Sequence, residues 1–130
     1  MEWSKEFEFE IVDKKELSRE ERKVFDYKEK IIDWFPRKVN PVKEIVVSNT
    51  MRPDNYNGGE ILGLWEPITQ TIIIKRSQLK RLDSFSGTLI HELIHAYTKT
   101  DDRTIEFENE LTRMLGRLAI LNLEEEKSVQ

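Results

Sequence analysis

The 130-residue sequence predicts an α+β fold, a small antiparallel or mixed sheet packed against two C-terminal helices. Three observations predict it. Phe7, Phe9 and Ile11 alternate with Glu6, Glu8 and Glu10, the period-two pattern of a half-buried strand. The β-branched run Thr71-Ile72-Ile73-Ile74 marks another strand. Beyond Asp83 the apolar residues fall three and four apart over two long segments, which is the helical period.

In chain order, Ser18 with Glu21 forms a capping box that opens a helix running to Phe35 and stopping before Pro36. Its inward residues are expected to be Val24, Tyr27, Ile31 and Trp34 or Phe35. Strands are expected over residues 43–48, 60–65 and 71–75. A polar loop over 49–59, with Pro53, Asn57, Gly58 and Gly59, separates the first two and reads as a surface loop. Glu66-Pro67-Ile68 is short enough to make the last two a hairpin. A linker around 79–83 leads to helices over 84–97 and 103–123, and the charged tail 124–130 is expected to fray. The order is β-α-β-β-β-α-α in one domain, residues 1–130.

Composition excludes several function classes. Charged residues make up 35% of the chain, but the signs nearly cancel to a formal charge of −4, so no broad basic surface for nucleic acid is expected. Lys75-Arg76 with Lys80-Arg81 reads as solvated surface, and Trp3, Trp34 and Trp65 as core or interface aromatics. There is no cysteine, which removes disulfides, thiolate metal sites and cysteine nucleophiles. A transition metal must then be held by His, Asp or Glu. No apolar run approaches the roughly 20 residues that cross a bilayer. Residues Met1 to Glu6 carry no apolar signal core, so the expectation is a cytoplasmic protein without a membrane partner.

The segment that carries chemistry is His91-Glu92-Leu93-Ile94-His95. Residues four apart on a helix share one face, about 5–6 Å from each other. Two imidazoles at that spacing can converge on one Zn²⁺ at roughly 2.0–2.1 Å. Glu92, about 100° round from His91, stands beside the metal position, where a carboxylate takes a proton from water and passes it to a leaving amine. Phe85, Leu89, Ile90, Leu93, Ile94, Ala96 and Tyr97 cover most of the helix, and the remaining strip holds Ser84, Thr88, His91 and His95. These are the chain's two histidines.

A zinc site of this kind takes a third protein ligand, here Asp or Glu. Asp101 lies six residues after His95, but the turn that such a spacing needs calls for glycine where Thr98 stands. If the last two helices form an antiparallel hairpin turning near Thr100, Glu108 falls opposite the histidines. It also falls on the edge of the stripe Phe107, Leu111, Met114, Leu115 and Leu118. Glu108 is therefore the preferred third ligand. Asp102, which also reads as the N-cap of the last helix, is the main alternative, followed by Asp101, Glu106 and Glu110.

With these residues in view, the stretch from Gly87-Thr88-Leu89-Ile90-His91 to Leu115-Gly116 resembles minimal zincin-type metallopeptidase-like domains found with GHKL-type ATP-binding proteins. Their pattern runs Gly-Thr-Leu-x-His-Glu-x-x-His-Ala, a short turn, Asp, then Glu-Phe-Glu-x-x-Leu-Thr-x-x-Leu-Gly. Asp102, Glu106-Phe107-Glu108, Leu111-Thr112 and Leu115-Gly116 stand at matching places. The match covers roughly the last third of the chain, and Thr98-Lys99 departs from the Ser-Gly that relatives often carry in the turn. No glycine-rich phosphate loop of the ATPase portion is visible. More broadly the pattern is similar to gluzincins, in which a downstream helical glutamate completes a zinc site.

The resemblance implies a zincin-like fold, bound zinc and a peptidase-like site. The expected function is a zinc-dependent hydrolase acting on a peptide or protein. Glu92 would be the general base, His91, His95 and Glu108 would hold the metal, and substrate would lie along a strand edge such as 71–75. The alternative is a zincin-like metal-binding module with a regulatory or protein-interaction role. The remaining reading is an α+β protein that holds no metal.

Overall fold

The computed structural model describes residues 9–35, 40–53, 61–99 and 104–129, with side chains as far as Glu124. Within them the chain is α+β with a four-stranded mixed sheet. The strands are β1 (Ile11–Val12), β2 (Glu44–Ser48), β3 (Gly63–Glu66) and β4 (Thr71–Lys75), in the spatial order β1-β2-β4-β3. The helices are α1 (Arg19–Phe25), α2 (Lys28–Asp33), α3 (Leu82–Thr98) and α4 (Ile105–Val129).

β4 is the central strand. It pairs in parallel with β2, Ile45 opposite Ile72 and Val47 opposite Ile74, and antiparallel with β3, Gly63 opposite Ile74 and Glu66 opposite Thr71. Its isoleucine run follows from that position: Ile72 and Ile74 are fully buried on one face and Ile73 is buried on the other. The expected hairpin is present, with Pro67 to Gln70 linking β3 to β4 and Gln70 in the left-handed region at φ 54°. Glu66, itself buried, accepts the Ile68 N–H at 2.8 Å and stiffens the turn.

At the other edge, β1 pairs antiparallel with β2 through Ile11–Ser48 and Val12–Val47. The alternation expected from Phe7, Phe9 and Ile11 is corrected here. Val12 is buried and Ile11 is exposed, because the Val12–Val47 pair turns the even-numbered residue towards the core. Phe7 lies outside the described residues.

The capping box forms as expected. The Ser18 hydroxyl accepts the Glu21 N–H at 3.1 Å, and Glu21 accepts the Ser18 N–H at 2.8 Å. The expected single helix is two segments, however. Tyr27 N–H bonds to Val24 C=O three residues back, and that tighter turn shifts the helical phase. Phe25, Ile31 and Phe35 are consequently buried, while Tyr27, expected inward, is exposed.

Arg76, just after β4, locks α1 to the sheet. Its guanidinium donates to both Glu21 oxygens at 2.9 and 3.0 Å, to Asn49 Oδ1 at 3.2 Å and to the Glu16 carbonyl at 3.2 Å. That charge-assisted pairing holds the Glu21 carboxyl at about 2, well below its ordinary value. A 3₁₀ turn, Arg76–Lys80, then leads into α3.

α3 is the packing centre. Phe85, Leu89, Leu93, Ile94 and Ala96 are essentially inaccessible, and they meet Ile72, Ile74, Phe25, Ile31 and Phe35 in one core. Phe25 meets Phe85 edge-on with centroids 6.1 Å apart, and Phe35 stacks on Tyr97 at 4.9 Å. α3 ends with Lys99 in the left-handed conformation, φ 57° and ψ 35°, its N–H bonded to the His95 carbonyl at 2.8 Å.

α4 begins two residues later than expected. The Thr104 hydroxyl accepts the Phe107 N–H at 3.1 Å at the start of the helix. Asp102 lies outside the described residues. The tail expected to fray continues α4 through Val129, a stretch with no glycine or proline to interrupt it. Among the described residues no helix is long and apolar enough to cross a membrane.

Candidate metal centre

His91 and His95 occupy successive turns of α3, and the helical repeat sets their rings together with centroids 4.9 Å apart. The two Nε2 atoms are 3.3 Å from each other. Two nitrogens bound to one tetrahedral zinc at roughly 2.0–2.1 Å would stand about 3.3–3.4 Å apart. The donor pair therefore fits a shared zinc ion, and the same separation also suits one N–H···N hydrogen bond. Phe107 of α4 packs against both imidazoles, at 5.0 Å from His91 and 4.7 Å from His95, and closes one side of the pair.

Glu92 is buried, only 7% exposed, and faces the edge strand β3. Gly63 makes this approach possible. A β-carbon at position 63 would lie 2.7 Å from Thr88 Cγ2, 3.2 Å from Glu92 Cγ and 3.3 Å from Glu92 Oε2. Thr88 has little freedom to retreat, because its hydroxyl donates to Gln78 Oε1 at 2.8 Å. Sequence reasoning missed Gly63. Its signal was available, since a glycine inside a strand marks close approach of another group.

The two histidines and Glu92 line one cleft of about 970 Å³. Its opposite wall is β3, through Gly63, Leu64 and Trp65, with Arg52, Gln70 and Lys99 around it. The residues 71–75, expected to offer a free strand edge, have none: β4 is paired on both sides. The strand at the sheet edge beside the histidines is β3.

The carboxylates of α4 fall differently from expectation. Glu108 is exposed, as is Glu106, whereas Glu110 is only 5% exposed and pairs with Arg113. The physical reason is Leu115. It was counted in the apolar stripe but is 60% exposed, so the buried stripe is centred on Phe107 and Met114. Relative to Phe107, Glu110 then lies about 60° round the helix and Glu108 about 100° round, on opposite sides. Asp101 and Asp102 lie outside the described residues. Among the described residues, no three His, Asp or Glu side chains are gathered into a metal-holding group. The structure thus brings His91, Glu92 and His95 together and leaves Glu108 on the surface.

No protein-family model, curated protein or solved structure matches the chain.

Proposed function

We propose that this protein is a zinc-dependent hydrolase, a metallopeptidase of zincin-like type. The observation that carries the reading is the 3.3 Å separation of the His91 and His95 Nε2 atoms in a cleft whose other wall is a strand edge, with Glu92 between. His91 and His95 would hold the metal. Among the described residues no carboxylate of α4 joins them in a metal-holding group: Glu108 is exposed, and Glu110, though buried, is paired with Arg113. Zinc bound there supplies Lewis-acid polarisation of a carbonyl and a water acidic near neutral pH.

The chain's own residues supply the rest. Glu92, pressed against Gly63 and shielded from bulk solvent, takes the proton of the attacking water on its carboxylate and delivers it to the leaving amine. The outer edge of β3 offers backbone N–H and C=O groups to an extended peptide, which pairs as a fifth strand and brings its backbone past Glu92. Trp65, facing the same side of β3 as Gly63, gives an apolar surface to a substrate side chain.

A second reading, a metal-stapled module that binds a partner without cleaving it, is favoured by the apolar side chains that α4 leaves exposed, Leu115, Ile120 and Leu123. One comparison separates the two. Digestion of an unstructured peptide pool by wild type, abolished in Glu92→Gln while zinc remains bound, supports the peptidase. A zinc-loaded wild type that leaves the pool intact supports the module.

A further inference from the structure

We infer that the cleft selects peptides by an aromatic side chain seated on Trp65, a fixed two residues along the peptide from the one that lies over Gly63 and Glu92. The inference rests on the peptidase reading of the same cleft and names its substrate class, peptides with an aromatic residue a set distance from the bond that is cut. The hydrogen-bond pattern of the hairpin fixes that distance. The Lys75 N–H donates to the Leu62 carbonyl at 2.9 Å, and this pair continues the register in which Gly63 lies opposite Ile74. Residues 62, 64 and 66 therefore bond towards β4, whereas Gly63 and Trp65 turn their N–H and C=O groups to the outer side of the sheet. A peptide added to that edge pairs with Gly63 and Trp65, and the residues opposite them point their side chains to the α3 face. One enters the space that Gly63 leaves beside Glu92. The other, two residues and roughly 7 Å further along, lies beside Trp65.

The chemistry at this second place is apolar and flat. Trp65 is half-buried and lines the cleft. Pro67 follows it into the turn, and Pro41 is held at the same end of the hairpin. Gln70 Nε2 donates to the Pro41 carbonyl at 2.8 Å, and the Gln70 carbonyl accepts the Lys43 N–H at 2.8 Å. Pro41, Pro67 and Gln70 line the cleft with Trp65, and none of the four carries a charge. The charged lining residues, the histidines aside, belong to other segments. The Arg52 carbonyl accepts the Ile61 N–H, Glu92 stands against Gly63, and Lys99 closes α3. An indole bordered by two prolines favours a second ring, offset-stacked or edge-on, over an aliphatic chain of similar size.

The test moves one phenylalanine along a neutral, polar, end-capped peptide, one position per peptide, and digests each with the full zinc-loaded chain. Mass spectrometry is expected to place the cut at the second or third bond from the phenylalanine, shifting by one residue whenever the phenylalanine does. Leucine in its place should lower kcat/KM about fivefold, chiefly through KM. Trp65→Ala should bring the two peptides to within about twofold of each other, with zinc content unchanged. Cuts that ignore the phenylalanine, or an advantage that survives Trp65→Ala, overturn the inference. Should Trp65→Ala fail to fold, Trp65→Leu, which keeps apolar volume without the ring, decides in the same way. The peptidase reading fails separately, if zinc-loaded wild type cuts no peptide. Fluorescence anisotropy of the labelled peptides on that protein then decides the seat: about fivefold tighter binding of the phenylalanine peptide supports it, and equal binding overturns it.

Discussion

Gly63 of β3 stands directly against Glu92 of α3, so close that a β-carbon at position 63 would come within 3.2 Å of Glu92 Cγ and 2.7 Å of Thr88 Cγ2. The absence of a side chain at one strand position is what lets a buried carboxylate share the cleft with two imidazoles. Gly63→Ala is therefore expected to cost about 1–3 kcal/mol by overpacking, since Thr88 is tethered to Gln78. It should also displace Glu92 and lower peptide hydrolysis by roughly tenfold or more, with zinc content unchanged. Urea unfolding, metal analysis and a hydrolysis assay on the one variant check all three, and full activity at wild-type stability would refute the contact's importance.

The different burial of Glu110 and Glu108 predicts a contrast in stability. Glu110→Gln should keep its zinc but lower stability by about 1 kcal/mol, because Arg113 loses a buried carboxylate partner. Glu108→Gln, at an exposed position, should keep it and change stability by no more than about 0.5 kcal/mol. Metal content that falls in Glu108→Gln and holds in Glu110→Gln would restore the carboxylate favoured by the sequence pattern.

The Glu21–Arg76 pair predicts an acid limb of stability. The Glu21 carboxyl is held at about 2 in the folded chain against 4.5 in the unfolded one. Its contribution is thus fully present above about pH 4.5 and is lost as the pH falls towards 2. The stabilisation involved is about 2 kcal/mol, the carboxylate being only 18% exposed. Arg76→Met should lower stability at neutral pH by a similar amount and flatten the slope between those limits. Urea midpoints measured across the acid range would show an unchanged slope if the pair were inert.

Lys99 closes α3 in a left-handed conformation that side chains resist. Lys99→Gly removes that strain and should raise stability by about 0.5–1 kcal/mol, net of the entropy glycine adds to the unfolded chain. Thermal unfolding gives the sign, and a lower midpoint would mean that the lysine side chain makes contacts worth more than the strain.

How much of this was legible in the sequence depended on whether the signal was local. The Ser18–Glu21 capping box, the strand Thr71–Lys75 and the helix bearing His91 and His95 are set by residues within a turn or two of each other, and they stand as read. What the sequence pattern left undetermined is what pairs across the chain. That β3 and not β4 forms the edge beside the cleft follows from the parallel pairing of β2 with β4, a long-range choice. The Gly63–Glu92 contact likewise joins two elements. The sequence pattern favours Glu108 over Glu110 because Leu115 extends the apolar stripe; among the described residues Leu115 is 60% exposed, and the helix turns its Glu110 side inward.

The central claim is that His91 and His95 hold zinc, and elemental analysis of purified protein tests it most directly. The account predicts near-stoichiometric zinc in wild type, lost in His91→Ala and in His95→Ala with the fold intact by circular dichroism. Wild-type protein that takes up no zinc under metal-replete conditions, or that keeps it after either histidine is removed, would contradict it.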